Sequence, residues 1–211
     1  MSILALTSNT LTSPAAAGQI EYTSPIFAAT PIGTQRGIIP TQQYYRLDSA
    51  YVGSNATGAQ SLFGVGVTLS ASTVYEFEMW FDLSRSAGTT SHTIAIGFGG
   101  TATINNILML GLNNQLGSAT PNGATPMQSS TGNTAVQNSV TALVATGATT
   151  TNNTVYFLYK GTVSINAGGT FIPQYTLSAA PGGAYSTAIG SFIRINPLSA
   201  SGAATNVGTW S

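Results

Sequence analysis

Three of the five acidic residues in this 211-residue chain lie in one short stretch, STVYEFEMWFDLSR, at residues 72–85: Glu76, Glu78 and Asp82. Paired carboxylates can act as the acid and base of a glycosidase, and clustered carboxylates can bind Ca²⁺. Residues two apart on a strand face the same way, with Cα atoms about 6.5–7 Å apart. Glu76 and Glu78 therefore have a spacing that an inverting glycosidase could use.

A structural interpretation of the same acids explains more of the sequence. Three cations, Arg85, Lys160 and Arg194, lie at the ends or on the less apolar sides of predicted strands, where they can form ion pairs across a sheet or between protomers. A glycosidase cleft needs many more polar groups, and the other acids, Glu21 and Asp48, lie in different segments. We expect no catalytic, cofactor-binding or metal-binding residues, and a core strand with a charged outer side.

His92 is the only histidine, and the chain has no cysteine. His92 would therefore have to be the base of any Ser–His–Asp triad. One histidine without cysteine cannot form a typical zinc site. His92 starts an alternating segment in phase with Ile94 and Ile96. We therefore predict a partly buried structural histidine.

The segments around these residues predict an all-β protein. From Val74 to Leu83 apolar and polar residues alternate, the pattern of a half-buried strand. The segment SHTIAIGFGG follows after the turn residues AGTT, which predicts a hairpin. About eight strands can be recognised, the number in a jelly roll. Pro173 interrupts one of them and predicts an edge or bulged strand.

Two domains are expected. Residues 41–211 are predicted to form a jelly-roll β-sandwich with a long loop at 111–137, which is either a partner-facing insertion or a solvated surface loop. Residues 1–40 contain four prolines and are predicted to form an extended N-terminal arm.

Interface residues are predicted mainly in the arm, whose short apolar segments could pair with a neighbour's sheet edge. Arg36 is placed at a hinge. Trp80, on the charged side of its strand, is predicted at a protomer interface. The arm candidates are Ile3, Leu4, Ile20, Tyr22, Ile26, Phe27 and Arg36.

The composition excludes several classes of partner. Only 5% of residues are charged, and the net charge is zero, against about 25% charged residues in an ordinary soluble domain. No basic patch indicates nucleic-acid binding, and no segment indicates a membrane helix or a signal peptide. Neutral chains tend to self-associate, so a large assembly is favoured.

Four stretches resemble virion proteins of tailed phages. TSPAAAGQIEYTSPIFAATPIGTQRGIIPTQQYYRL is similar to a segment that precedes a β domain in such proteins, and STVYEFEMWF with TSHTIAIGFGGTATINNI resembles the front of that domain. GTVSINAGGTFIPQYTLSAAPGGAYSTAIGSFIRINPLS resembles the last strands of trimeric C1q/tumour-necrosis-factor-like jelly rolls. The resemblance covers most of residues 13–199. It implies a trimeric, non-enzymatic component on the outer surface of the particle.

Two functions follow from the resemblance. A capsid decoration (cement) protein would form a homotrimer and attach to the major capsid protein or other virion proteins through its arm. The alternative is a tail-fibre or receptor-binding tip that recognises a glycan or protein of the host surface through the loop at 111–137. The short arm, compared with the long N-terminal region and stalk of a fibre, favours decoration.

Overall fold

The computed structural model describes residues 5–115, 144–145, 154–202 and 207–208. These residues contain strands, turns and bends but no helix, so this part of the chain has no helical segment that could cross a membrane. The all-β prediction is confirmed.

Fifteen strands lie within the described residues, and every pairing between them is antiparallel. They are β1 (Ile20–Thr23), β2 (Ile26–Ile32), β3 (Gln35–Ile39), β4 (Gln43–Arg46), β5 (Tyr51–Val52), β6 (Gln60–Ser61), β7 (Val67–Leu69), β8 (Thr73–Ser84), β9 (Ile94–Gly99), β10 (Thr103–Gln115), β11 (Val144–Ala145), β12 (Thr154–Ala167), β13 (Gly169–Leu177), β14 (Ser186–Thr187) and β15 (Phe192–Ala200).

The larger sheet is built around β8. On one side β8 pairs with β12, which pairs with β10. On the other side β15 covers most of β8 and pairs in turn with β4, while β14 covers the end of β8 and pairs with β5. Strand β8 therefore lies in the middle of this sheet, and its partners on both sides lie 70 or more residues away in the sequence.

A second sheet has the order β11, β9, β13 and β6, with β7 also on β13. Aromatic side chains join the two sheets. Phe77 of β8 lies 5.3 Å, centroid to centroid, from Phe98 of β9, and Phe98 stacks at 4.2 Å on Phe171 of β13. One core cluster includes residues of both sheets, so the two sheets face each other across a single core. The jelly-roll connectivity stays a prediction.

The predicted alternation of β8 is confirmed, because its inward side chains are almost fully buried. The predicted hairpin between β8 and β9 is wrong. The two strands belong to different sheets, and residues 85–93 carry the chain across the end of the core. The turn residues correctly indicate that the chain changes direction after β8. They do not indicate whether the next strand pairs with β8 in the same sheet or crosses to the opposite sheet.

The expectation that Pro173 marks an edge or bulged strand is also wrong, since β13 has partners on both sides and its register with β9 runs through Pro173 without a shift. On one side, however, the partner is interrupted: β7 pairs up to Phe171 and β6 begins opposite Gln174. The Pro173 carbonyl accepts from Leu62 N on that side at 2.9 Å. The nitrogen and the carbonyl of a strand residue point to the same edge of the strand. The Pro173 nitrogen, which has no hydrogen to donate, therefore faces the gap between β6 and β7, where no strand among the described residues needs its hydrogen bond.

Residues 20–39 form a three-stranded sheet, β1–β2–β3, where the sequence predicted an extended arm. Two-residue turns connect the strands, at residues 24–25 and 33–34. Gly33 has a φ of 55° in the second turn, a conformation that glycine adopts without strain. The arm prediction missed this sheet because its strands are too short to show a clear alternation.

The predicted loop at 111–137 also needs correction at its start. Strand β10 continues through residues 111–115 and pairs with β12 as far as Gln115 opposite Val155. The rest of that prediction lies outside the described residues.

Candidate functional site

The central strand β8 holds the three candidate acids on the outward side of the larger sheet. Cross-strand register places Lys160 of β12 and Arg194 of β15 directly opposite Glu78, one on each side. Glu76 is exposed, and Asp82 lies near the end of the strand. The sheet thus joins residues that are far apart in sequence.

Glu78 binds both cations. Its Oε2 lies 2.7 Å from Lys160 Nζ and 2.8 Å from Arg194 Nη2. Hydrogen bonds from Lys160 and Arg194 lower the pKa of Glu78 from its ordinary value, against a smaller opposing effect of burial. The predicted ion pairing is confirmed for Glu78, Lys160 and Arg194. The lowered pKa keeps the Glu78 carboxylate ionised. An ionised carboxylate can form ion pairs, but it has no proton to give as a general acid.

Asp82 has the opposite environment. Burial raises the pKa of its carboxyl to about 6. Its Oδ1 atom is buried without a hydrogen-bond partner among the described residues. Desolvation disfavours the carboxylate because water no longer stabilises the charge. Asp82 is therefore a carboxyl whose charge changes near neutral pH, on the same side of the sheet as the Glu78 ion pairs.

The prediction that Arg85 pairs with the acidic side is wrong. Arg85 is 6% exposed and points inward, where Nε donates to the Tyr185 hydroxyl at 3.2 Å. The Tyr185 oxygen also lies 2.8 Å from His92 Nε2, and His92 Nδ1 lies 2.8 Å from the Thr90 carbonyl. Since a carbonyl only accepts, Nδ1 carries the hydrogen and Nε2 accepts from Tyr185.

His92 is thus a structural residue in a buried chain of hydrogen bonds, as predicted, although it is more deeply buried than expected, at 2% exposed. Burial raises the pKa of Tyr185, and the hydrogen bond from Arg85 opposes that rise. The chain of bonds connects the segment after β8 with the segment before β14, at one end of the core.

We expect Tyr185→Phe to lower the free energy of unfolding by about 1–3 kcal/mol, because His92 Nε2 and Arg85 Nε both lose a buried partner. Urea unfolding at neutral pH measures the change. Tyr45→Phe is the matched control, since the Tyr45 side chain is 39% exposed and should change stability by less than about 0.5 kcal/mol. Equal effects of the two changes would contradict a structural role for the Tyr185 hydroxyl.

An apolar and aromatic surface surrounds the Glu78 ion pairs. Trp80 is 55% exposed, and its ring centroid lies 6.4 Å from that of Phe192, which in turn lies 5.6 Å from Tyr44. We call this surface the Trp80 face. It includes the outward side chains of the larger sheet, Tyr44, Arg46, Glu76, Glu78, Trp80, Asp82, Leu108, Leu110, Tyr156, Leu158, Lys160, Thr162, Phe192, Arg194 and Asn196.

Sequence reasoning selected only Trp80 as an interface residue on this face. The signal that could have revealed the rest of the face is that β10 and β12 are apolar on both sides. In β10, outward Leu108 and Leu110 alternate with inward Ile107 and Met109. In β12, outward Tyr156 and Leu158 alternate with inward aromatic residues. A strand that is apolar on both sides is typical of a strand covered on both faces. The described part of the chain covers one face only.

The arm candidates that the structure describes lie in the small sheet. Tyr22 and Phe27 are cross-strand partners whose rings stack at 4.5 Å, and Ile26 is partly buried, whereas Ile20 is 62% exposed. Ile3 and Leu4 lie outside the described residues. The arm candidates do not join Trp80, which belongs to the larger sheet.

Arg36 lies within β3 instead of at a hinge. Its Nε donates to Glu21 Oε2 at 2.8 Å, and its Nη2 donates to the Thr12 carbonyl. Hydrogen bonds from Thr12 and Arg36 lower the pKa of Glu21. Arg36 therefore holds residues near Thr12 against the small sheet.

Among the described residues, no three His, Asp or Glu side chains are grouped so that they could hold a metal ion. No protein-family model, no curated protein and no solved structure matches the chain. The function has to be inferred from the Trp80 face, the small N-terminal sheet and the chemistry of their side chains.

Proposed function

We propose that the chain is a non-enzymatic structural protein of a phage virion surface, which assembles as a homotrimer and acts as a capsid decoration protein. The observation that carries this proposal is the Trp80 face, a broad apolar surface on a chain with almost no charge. The virion surface and the three-fold symmetry come from the sequence resemblance, and the small N-terminal sheet is the element that would contact the capsid proteins.

The chemistry of the acids supports a structural function. A glycosidase acid needs a raised pKa, but Glu78, one of the two acids with suitable spacing, is held ionised by two cations. Asp82 has a raised pKa but lies four residues from Glu78, about 13 Å along the strand between Cα atoms. That is beyond the roughly 6.5–9.5 Å between the carboxyl groups of inverting enzymes.

The size of the Trp80 face supports assembly. With strands about 4.8 Å apart and same-side residues about 6.8 Å apart, five strands and four rows of side chains span roughly 600 Å². Standard interfaces bury about 800 Å² on each partner, and specific ones exceed about 500 Å². The two acids Glu76 and Glu78 balance Lys160 and Arg194, and Arg46 is paired with Asp48. Asp82 adds a negative charge only above about pH 6, so copies of the face meet without net repulsion in mildly acidic solution.

We expect the purified chain to sediment at three times its 21.5 kDa mass at micromolar concentration, and Trp80→Ser to weaken assembly at least tenfold. An exposed aromatic at the centre of an interface commonly contributes about 2 kcal/mol or more. Sedimentation equilibrium measures both effects. The matched control is Val65→Ser, which removes an apolar side chain 39% exposed in the turn between β6 and β7; it should leave the mass unchanged.

A monomer at all concentrations would contradict the assembly. A trimer that is equally stable with Trp80→Ser would move the interface away from the Trp80 face. Circular dichroism of each variant identifies any loss of fold, which is not expected because the Trp80 side chain is more than half exposed.

The place on the virion is tested by cryo-electron microscopy of the particle that carries the chain. Density at three-fold positions of the head, with residues 20–39 against the capsid proteins, is the expected result. Density at the tail tip would replace decoration by the receptor-binding alternative. Particles without the protein would contradict a virion component altogether.

A further inference from the structure

Asp82 lies beside a cavity in the Trp80 face. None of the three residues of the Glu78 ion pairs lines this cavity. The cavity has a volume of about 360 Å³ and is lined by Trp80, Tyr156, Ile189 and Phe192 together with Asp82. Ile189 is 63% exposed at its rim. A carboxyl at the edge of an open aromatic cavity loses water when anything apolar closes that cavity.

The polar groups next to Asp82 form hydrogen bonds with the main chain of Asp82 and not with its carboxyl group. The Ser191 hydroxyl accepts from Asp82 N at 3.3 Å, and Ala188 N donates to the Asp82 carbonyl at 3.0 Å. Across the strands, Tyr156 is its partner on β12. The Asp82 Oδ1 atom remains buried without a partner among the described residues, so the carboxylate form has little local stabilisation.

The charged groups on the neighbouring elements are bound to other acids or turned away. Lys160 of β12 and Arg194 of β15 both bind Glu78, and Arg46 of β4, which approaches Gly190, pairs with Asp48. On β8, Glu76 lies six residues away, at the opposite end of the face. Beyond the strand's end, Arg85 points into the core, towards Tyr185. Burial accordingly raises the pKa of Asp82, with no nearby charge among the described residues to oppose it.

We propose that a second copy docking on the Trp80 face closes this cavity, and that assembly therefore takes up a proton at Asp82. The inference rests on the proposed assembly and adds its regulation. It makes the Trp80 face a pH-dependent interface, stronger in mildly acidic solution than in alkaline solution. The partner is another copy of this chain because the face is large enough and its charges balance once Asp82 is protonated.

The sign follows from linkage. In the free protomer the pKa of Asp82 is already raised to about 6, and closing the cavity removes more water and raises it further. Below about pH 6 the carboxyl is neutral in both states, so assembly does not depend on pH. Above pH 6 the free protomer loses its proton while the assembly retains it, so each pH unit weakens association by up to tenfold for each closed cavity.

Sedimentation equilibrium between pH 5 and pH 8 at constant ionic strength tests the proposal. We expect the association constant to be constant below pH 6 and to fall at least tenfold between pH 6 and pH 8. Asp82→Asn keeps a neutral side chain of the same shape, and it should assemble at pH 8 as strongly as the unchanged protein does at pH 5. Glu76→Gln, on the same strand and the same face, is the control and should keep the pH dependence.

The outcomes separate this inference from the proposed function. A chain that assembles with a flat pH profile, or whose pH dependence survives Asp82→Asn, would overturn the proton linkage and leave the assembly standing. A chain that is monomeric at every pH would overturn both.

Carboxyl ¹³C titration by nuclear magnetic resonance provides an independent measurement. Asp82 should titrate at a higher pH in the assembled protein than in the unchanged protein diluted to its free protomer, in which Trp80 still lines the cavity. Equal titration midpoints would contradict the closing of the cavity.

Discussion

Gly161→Ala is expected to lower the free energy of unfolding by about 3 kcal/mol, the upper end of the usual cost of overpacking, because an added methyl group here has to displace a neighbouring backbone. Gly161 lies in β12 between Met109 of β10 and Phe77 of β8. A Cβ at this position would lie 2.1 Å from the Leu108 carbonyl oxygen and 2.9 Å from Phe77 Cζ. The nearest atom belongs to a backbone, so β10 has to move away from β12.

Urea unfolding measures this change. Gly37→Ala in β3 is the matched control: it is also a strand glycine, but a Cβ there meets nothing within 4 Å. The control should be neutral or stabilising by up to about 1 kcal/mol, because alanine restricts the unfolded chain. If Gly161→Ala were as stable as Gly37→Ala, the tight pairing of β10 with β12 would be incorrect.

Phe98→Ala is expected to destabilise the fold by about 3–5 kcal/mol, the usual loss for a buried phenylalanine. The Phe98 ring is 2% exposed and contacts both sheets, with Phe171 stacked in its own sheet and Phe77 opposite it. Its removal leaves a cavity between the sheets that a rigid strand pair cannot close.

The same unfolding experiment, at one fixed protein concentration, gives the loss for Phe98→Ala; the concentration is fixed because assembly adds to apparent stability. Val52→Ala, at a position 61% exposed on β5, should change stability by less than about 0.5 kcal/mol. A loss below 1 kcal/mol for Phe98→Ala would mean that the two sheets do not share a core.

Local pattern was enough to predict the type of structure. The alternation from Val74 to Leu83 identified β8 and the side chains that it buries, because a strand turns successive residues to opposite sides. The same reasoning correctly predicted a structural role for His92 and ion pairing for Glu78. The first conclusion depends only on the residues within one strand. The ion-pairing prediction succeeded because the chain has only five acids and five cations, which leaves few possible pairs.

The sequence by itself therefore determined an all-β protein in which one alternating strand buries its apolar side and carries charges on its outer side. Only the tertiary structure decided which strands flank β8, and hence that Glu78 receives two cations, that Arg85 turns inward to Tyr185, and that Asp82 is buried beside an aromatic cavity. The partners of β8 lie 70 or more residues away in the sequence, and many strands have similar alternation. Their partners are chosen by the fit of the whole core, which no single segment contains.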